Sequence, residues 1–567
     1  MAPPMVRALL LALLVLGAGA AADEGHKAWK DEQKRLDRFE QKYWREFQKR
    51  FTEASLTLLK PREDADARPN DAINYALDHT GIRLLYEDYA LIEEGRGKAD
   101  VALAASGDPK ALDELFDALL DVAKRIDGLE ATLADAKPQQ RGAWYEQRPP
   151  VERHGVAVRR DALVRALAQA PGAAAFLAGE GMKQAAKRDG KRSIVRRVAV
   201  LDALGLAPGD DARAALEPFA AAPESSLRLV AAEALLGRGA AARPALEPLL
   251  KDPSAPVRRA LLQGIATAGA GDPGWIAPVL ACHADAQGLA RDDCVRALEA
   301  LTNQRFGDAH ALWTEWFADY KGEILGGKFK KEAIEVREVP RVPSPVACSF
   351  YTIATPSRAV LFIVEGSRRI FWPADLDVQL QRYKETWHSQ HRAWEDRWPS
   401  HLAILLREFD RMSAAFVPDL TFAVLAPSAP CVLEPLGGPK LMRADKRDFR
   451  AVRHDLERFD GNEWCAPYEA LVAAARIAGL GPESDADFPA ARADTIYLWD
   501  SGGSTGGRYM TPIATIAAFR RFNRFRRLVV HTIRVCDEGP PSEELLKGLA
   551  EASGGTYHWA KKPPEVP

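Results

Sequence analysis

The sequence predicts a helical first half, ending in a stacked α-solenoid, followed by a doubly wound α/β domain. Three observations carry this. Glycines close helical stretches at 205, 237 and 269, a step of 32, and the triplets starting at Leu216, Leu246 and Ile276 put a proline at a step of 30. The stretch Asp494–Trp559 reads strand, helix, strand, helix, which implies a parallel sheet covered on both faces. Between these regions Gly326–Pro345 carries Pro340, Pro343 and Pro345 among lysines and reads as an extended, solvated linker.

At 567 residues the chain is too long for one ordinary domain. Its net charge is −2, so nothing global directs it to nucleic acid. Met1–Ala22 reads as a signal peptide: Arg7 supplies the positive start, Ala8–Leu16 the apolar core, and alanines before Asp23 the cleavage site. The run is short for a bilayer span and no other run approaches one, so a periplasmic or secreted chain with no stable membrane span is expected. The expected boundaries are signal peptide 1–22, helical segment 23–150, helical repeats 151–322, linker 323–347 and α/β domain 348–567. The six cysteines (Cys282, Cys294, Cys348, Cys431, Cys465 and Cys536) lack CxxC spacing, which argues against zinc. Cys282 and Cys294 can meet if their helices are neighbours; buried free thiols are the alternative.

His26–Lys60 reads as one helix, with Trp29, Leu36, Phe39, Tyr43, Phe47 and Phe51 recurring mostly at three and four residues. Helices are also expected over Ile73–Ala90 and Ala111–Ala134, with a linker over Pro138–Pro150. From Val156 to Tyr320 each unit reads helix, turn, Pro-bearing helix. Such a pair cannot bury its apolar stripe alone, so units must stack. The pattern, and Asp252-Pro-Ser-Ala-Pro-Val-Arg-Arg259 in particular, resembles HEAT repeats. Trp313, Trp316, Phe317 and Tyr320 are expected to cap the last pair by core packing rather than to form an aromatic ligand box.

After the linker, Ala359–Val364 is the first expected strand of the α/β domain. His401–Met412 is a helix, Thr421–Leu425 a strand and Cys431–Leu436 an edge strand. Asp448–Phe459 and Tyr468–Ala478 are helices. Thr495–Trp499 and Leu528–Val535 read as buried strands. Leu545, Leu546, Leu549 and Ala552 form the last helical stripe, which Gly554–Gly555 stop. Phe371–Trp398, with four tryptophans, is expected to add a helix.

Leu545-Leu546-x-x-Leu549-Ala550 followed by Gly554-Gly555-Thr556-Tyr557 resembles the C-terminal half of a von Willebrand factor A domain. The resemblance reaches back to Cys348, about the last two-fifths of the chain. Family members with a metal site place Asp-x-Ser-x-Ser after the first strand, a Thr in the mid-domain loop and an Asp after the fourth main strand. That geometry suits magnesium, a hard ion wanting octahedral oxygens. At those positions stand Glu365, Ser367, Arg369, Cys465 and Ser501, with Asp500 one residue early. A guanidinium and a thiol are wrong partners for magnesium, so the resemblance implies a degenerate site and no cofactor. Gly502-Gly-Ser504-Thr-Gly506 spells a nucleophile elbow, and Asp537 and His558 follow in hydrolase order. Ser504, however, lies five residues beyond Trp499, too far for a sharp strand-to-helix turn.

The expectation is an exported, non-enzymatic interaction protein: a HEAT-like solenoid joined to a von Willebrand A-like domain, both serving protein partners. Its rivals are a metal-dependent adhesion module with a site rearranged around Glu365, Ser367 and Asp500, and a serine hydrolase using Ser504.

Overall fold

The computed structural model describes residues 25–58, 82–106, 110–135, 144–189, 194–364, 400–415, 419–429, 432–437, 441–458, 466–480, 492–500, 511–535 and 540–560, with single positions between. The signal segment, the Trp-rich stretch 371–398, and Cys431, Cys465 and Cys536 lie outside them. The chain forms two compact units, one built on Met1–Leu216 and one on most of the chain from Glu217 onward.

In the first unit α1 (Gly25–Leu58), α2 (Ile82–Ala105), α3 (Ala111–Asp135) and α4 (Trp144–Gln169) pack together. Helix α3 buries Leu115, Phe116, Leu119, Leu120, Ala123 and Ile126, the three- and four-residue stripe of a helix facing a core. Two expectations are corrected here. The expected helix Ile73–Ala90 falls in part on residues 73–81, outside the described residues; from Ile82 a helix runs on to Ala105, past the expected end. The expected linker Pro138–Pro150 instead contributes to α4, which contains Pro149 and Pro150. Burial of Pro150, Val151, Glu152 and Arg153 against the neighbouring helices outweighs the hydrogen bonds those prolines cannot make. After a short α-turn Ala173–Phe176 and a π-turn Leu177–Gly181 come the shorter α5 (Met182–Asp189), α6 (Val195–Leu206) and α7 (Asp210–Leu216).

The centre of this bundle is charged. Arg96, almost fully buried, donates from Nη1 to Glu93 Oε1 at 2.6 Å and from Nη2 to Glu40 Oε2 at 2.6 Å and Asp37 Oδ1 at 2.8 Å. The Tyr89 hydroxyl donates to Glu40 Oε1 at 2.7 Å and accepts from Arg125 at 2.8 Å. Burial opposes the charge on Glu40, but Arg96, Tyr89 and Arg125 together outweigh it and hold the carboxyl down at about 2.

The second unit opens with α8 (Ser225–Leu236), α9 (Ala255–Thr267), α10 (Ile276–Asp285), α11 (Gly288–Thr302) and α12 (His310–Leu325). Helix α9 packs between α8 and α11. The Pro-bearing partner helices are shorter than expected. At Pro248 the α-turn Arg243–Leu246 gives way to a 3-10 turn, because proline lacks the N–H and crowds the preceding carbonyl. In α10, Pro278 lies in the first turn, where its missing N–H would have had no partner, and the helix runs on. Trp313 and Trp316 are buried, packing on Phe306 and on Tyr320 and Phe329: core, as expected.

Gly326–Pro345 is extended but strapped down. Lys331 Nζ donates to the carbonyls of Ala270 and Ala300, the Gln304 side chain bonds Glu335 and Arg337 backbone groups, and Ser344 donates to Asp292. At Gly307 (φ 61°) a Cβ would sit 1.9 Å from Val342 O, so only glycine allows the bridge that pairs these residues.

The sheet runs β5-β4-β3-β7-β8-β9, with β3 (Ala359–Val364), β4 (Thr421–Ala429), β5 (Val432–Leu436), β7 (Thr495–Asp500), β8 (Val529–Arg534) and β9 (Tyr557–Trp559); the short β6 (Met442–Arg443) also pairs with β4. All neighbours are parallel except the β4–β5 and β4–β6 pairs. Counting the six strands of the main path in chain order gives 3-2-1-4-5-6, a doubly wound order. Strand β9 was not foreseen: three half-buried residues carry no periodic signal. Also unforeseen is the hairpin of β1 (Cys348–Phe350) and β2 (Ile353–Thr355), whose two-residue turn puts Tyr351 and Thr352 at φ 46° and 64°.

Val360, Phe362, Val364, Tyr497, Trp499 and Ile533 face one core, roofed by the hairpin, α13 (His401–Ala415) and α14 (Lys446–Glu457). By strand alternation Leu361, Ile363, Ile496, Leu498 and Val530 face the other side. There α15 (Pro467–Ile477), α16 (Pro512–Asn523) and α17 (Pro540–Ser553) form the layer.

Candidate functional site

In an open doubly wound sheet the ligand crevice lies outside the C-terminal ends of the strands, where the strand order reverses. Here that point is between β3 and β7, paired in parallel with Val364 opposite Trp499. The chain leaves β3 at Val364 directly into Glu365, Ser367 and Arg369. It leaves β7 at Asp500 into Ser501 and Ser504, and Cys465 immediately precedes Ala466, the N-cap of α15, which packs on β3. The strand ends Val364 and Asp500 therefore lie at one end of the sheet. Of the expected site residues Asp500 alone is described; the rest, like Asp537, lie outside the described residues.

Asp500 is the last residue of β7 and is buried; its carbonyl accepts from Val535 N at 3.2 Å. Its register partner on β8 is Arg534, so the two side chains share a face. Arg534 is almost fully buried, donates to Glu543 Oε2 at 3.2 Å and lies over the Trp559 ring at 4.2 Å. Among the described residues no group of three His, Cys, Asp or Glu could hold a metal. The sequence analysis missed Arg534; an arginine ending an otherwise apolar, β-branched strand was the available signal.

On the roofed face, Trp499 Nε1 donates to the Tyr351 hydroxyl at 3.1 Å, while Tyr351 N–H donates to Glu408 Oε2 at 3.0 Å. These bonds hold a non-glycine residue in the left-handed region, which costs on the order of 1 kcal/mol. His401 packs edge-on against Trp499, and burial pushes its pKa down to about 4. His558 lies against Tyr351, on this same face, where burial again lowers its pKa.

The opposite, N-terminal end of the strands is occupied by the helices. Arg259, buried, donates from Nε to Asp293 at 2.8 Å and from Nη1 to the carbonyl of Arg527, just before β8. Glu233 pairs with Arg524 at 2.8 Å and with Arg527, and Arg358, just before β3, donates to Gln287 at 3.1 Å. Ser357 and Thr495 donate to Asp494, the fully buried carboxylate before β7, whose pKa burial raises while Arg259 opposes the shift.

No family model matches the chain, and no curated protein does. Among solved structures, a von Willebrand factor type A protein from Catenulispora acidiphila is similar, at 17% identity and a TM-score of 0.23. The match covers 37% of this chain and 40% of that one, so the chain spans about two-fifths of that protein's length. The chain itself has a mostly helical N-terminal part followed by a C-terminal α/β sheet region.

Proposed function

We propose that the chain is an exported, non-enzymatic interaction protein that joins HEAT-like helix pairs to a von Willebrand A-like domain and engages a protein partner without a metal ion. The observation that carries this reading is the pairing of Asp500 with the buried Arg534 at the strand-end crevice. Where a metal-dependent module needs converging oxygens and one open position, the strand beside Asp500 ends in a guanidinium engaged by Glu543 and Trp559. The deciding test is calorimetry of magnesium and manganese on the whole chain, with a pull-down from an exported fraction in EDTA. Partner capture that survives EDTA, without an ion isotherm, supports the reading. A one-to-one isotherm tighter than about millimolar, abolished by Glu365→Ala, would replace it with the metal-dependent module. Labelling of Ser504 by a fluorophosphonate would replace it with a hydrolase.

A further inference from the structure

A second surface lies on the roofed face, away from the crevice. Helices α13 and α14 diverge over a groove of about 450 Å³ lined by Phe409, Asp410, Ser413, Lys446, Phe449 and Arg450. That volume lies within the roughly 300–1,000 Å³ of ligand pockets. Its apolar floor is rigid: Phe409 packs on Phe362 at 5.3 Å, and Phe449 stacks on Phe422 at 4.4 Å. At one end Arg453 pairs with Asp410 and, at 2.9 Å, with Glu457, so its charge is spent holding the helices together.

The rim is different. Arg443, Lys446, Arg447 and Arg450 are exposed, and none has a carboxylate partner among the described residues. Arg450 bonds only the Lys446 carbonyl, its own helix backbone. Asp445, next to Lys446, is committed to the helix end, where it accepts from Arg447 N and Asp448 N. Four unpaired cations within eight residues stand out in a chain of net charge −2.

We propose that this groove binds an acidic peptide segment of a partner protein, seating an apolar side chain between Phe409 and Phe449 and its carboxylates on Lys446 and Arg450. Charge complementarity selects the acidic partner, and the apolar floor selects a peptide over a phosphate polymer. Asp448 and Asp455 share the helix that carries Lys446 and Arg450, which confines the basic surface to a short stretch and favours a peptide over an extended polyanion. The proposal is independent of the crevice and of any metal there.

The test uses the whole chain and a fluorescein-labelled Asp-Glu-Phe-Asp-Glu peptide, followed by anisotropy. Saturable binding is expected, weakened about tenfold or more by the charge-reversing pair Lys446→Glu and Arg450→Glu. It should also fade in about 1 M salt, where screening falls to roughly 3 Å. Both residues are exposed, and far-UV circular dichroism of the variant verifies its fold. Replacing the peptide's phenylalanine with serine should weaken binding as well, which a bare charge effect would not. Affinity that the double variant leaves within about twofold overturns the proposal. So does tighter binding of phosphatidylserine vesicles or a single-stranded oligonucleotide than of the peptide.

Discussion

The N-terminal helical bundle and the C-terminal sheet bury polar groups in opposite ways. In the bundle one buried guanidinium gathers several carboxylates: Arg96 alone meets Glu93, Glu40 and Asp37. On the roofed face of the sheet burial favours the neutral form. His531 stacks on Tyr497 at 5.0 Å and accepts from Thr556 N at 3.1 Å, and burial pushes its pKa down to about 4. The difference follows from geometry. Long side chains on four helices can reach one axial point and supply partners there, whereas the roofed face sets its histidine among apolar side chains, and the buried Asp500 and Arg534 stand at the strand ends on the other face.

The largest test of this contrast is Arg96→Met. It strands the Glu93 carboxylate in a dry bundle and is expected to cost about 3–5 kcal/mol in chemical denaturation. Adding Glu93→Leu should recover much of that, because the pair then becomes apolar. A harmless single variant would show that the charged centre is not matched as described.

The two regions should also respond to acid in different windows. Folded Glu40 titrates at about 2 against an ordinary value of 4.5, so its contribution is fully present above about pH 4.5 and is lost as pH falls through 2. That gap corresponds to roughly 3 kcal/mol, and Glu40→Gln should lack the slope over that window. His531 is lowered from 6.5 to about 4, so stability is fully present above pH 6.5 and lost as pH falls to about 4. The size is again roughly 3 kcal/mol. Sheet signals in near-UV circular dichroism should therefore weaken at a higher pH than bundle signals, and His531→Leu should narrow the interval.

The smallest expected effect sharpens the sheet side alone. Tyr351→Phe removes the acceptor of Trp499 Nε1 and should cost about 1–2 kcal/mol, with a change in tryptophan fluorescence. No change in either would mean that packing alone holds the strained turn.

The sequence by itself determined the alternation of strands and helices after Ala359, because long apolar or amphipathic runs carry their period locally. It did not reveal the extent of α4, the β1–β2 hairpin or β9, where tertiary burial overrides proline, left-handed φ and weak pattern. Gly555 illustrates the limit. The sequence marks it as a helix stop, but only the fold places its missing Cβ 2.0 Å from Val530 O, letting the chain return alongside β8 as β9. Likewise Arg259, Asp293 and Asp494 are unremarkable in sequence and lie far apart along the chain. Only the tertiary structure brings them together at the strand starts, because the pairing of buried charges depends on distance in space rather than along the chain.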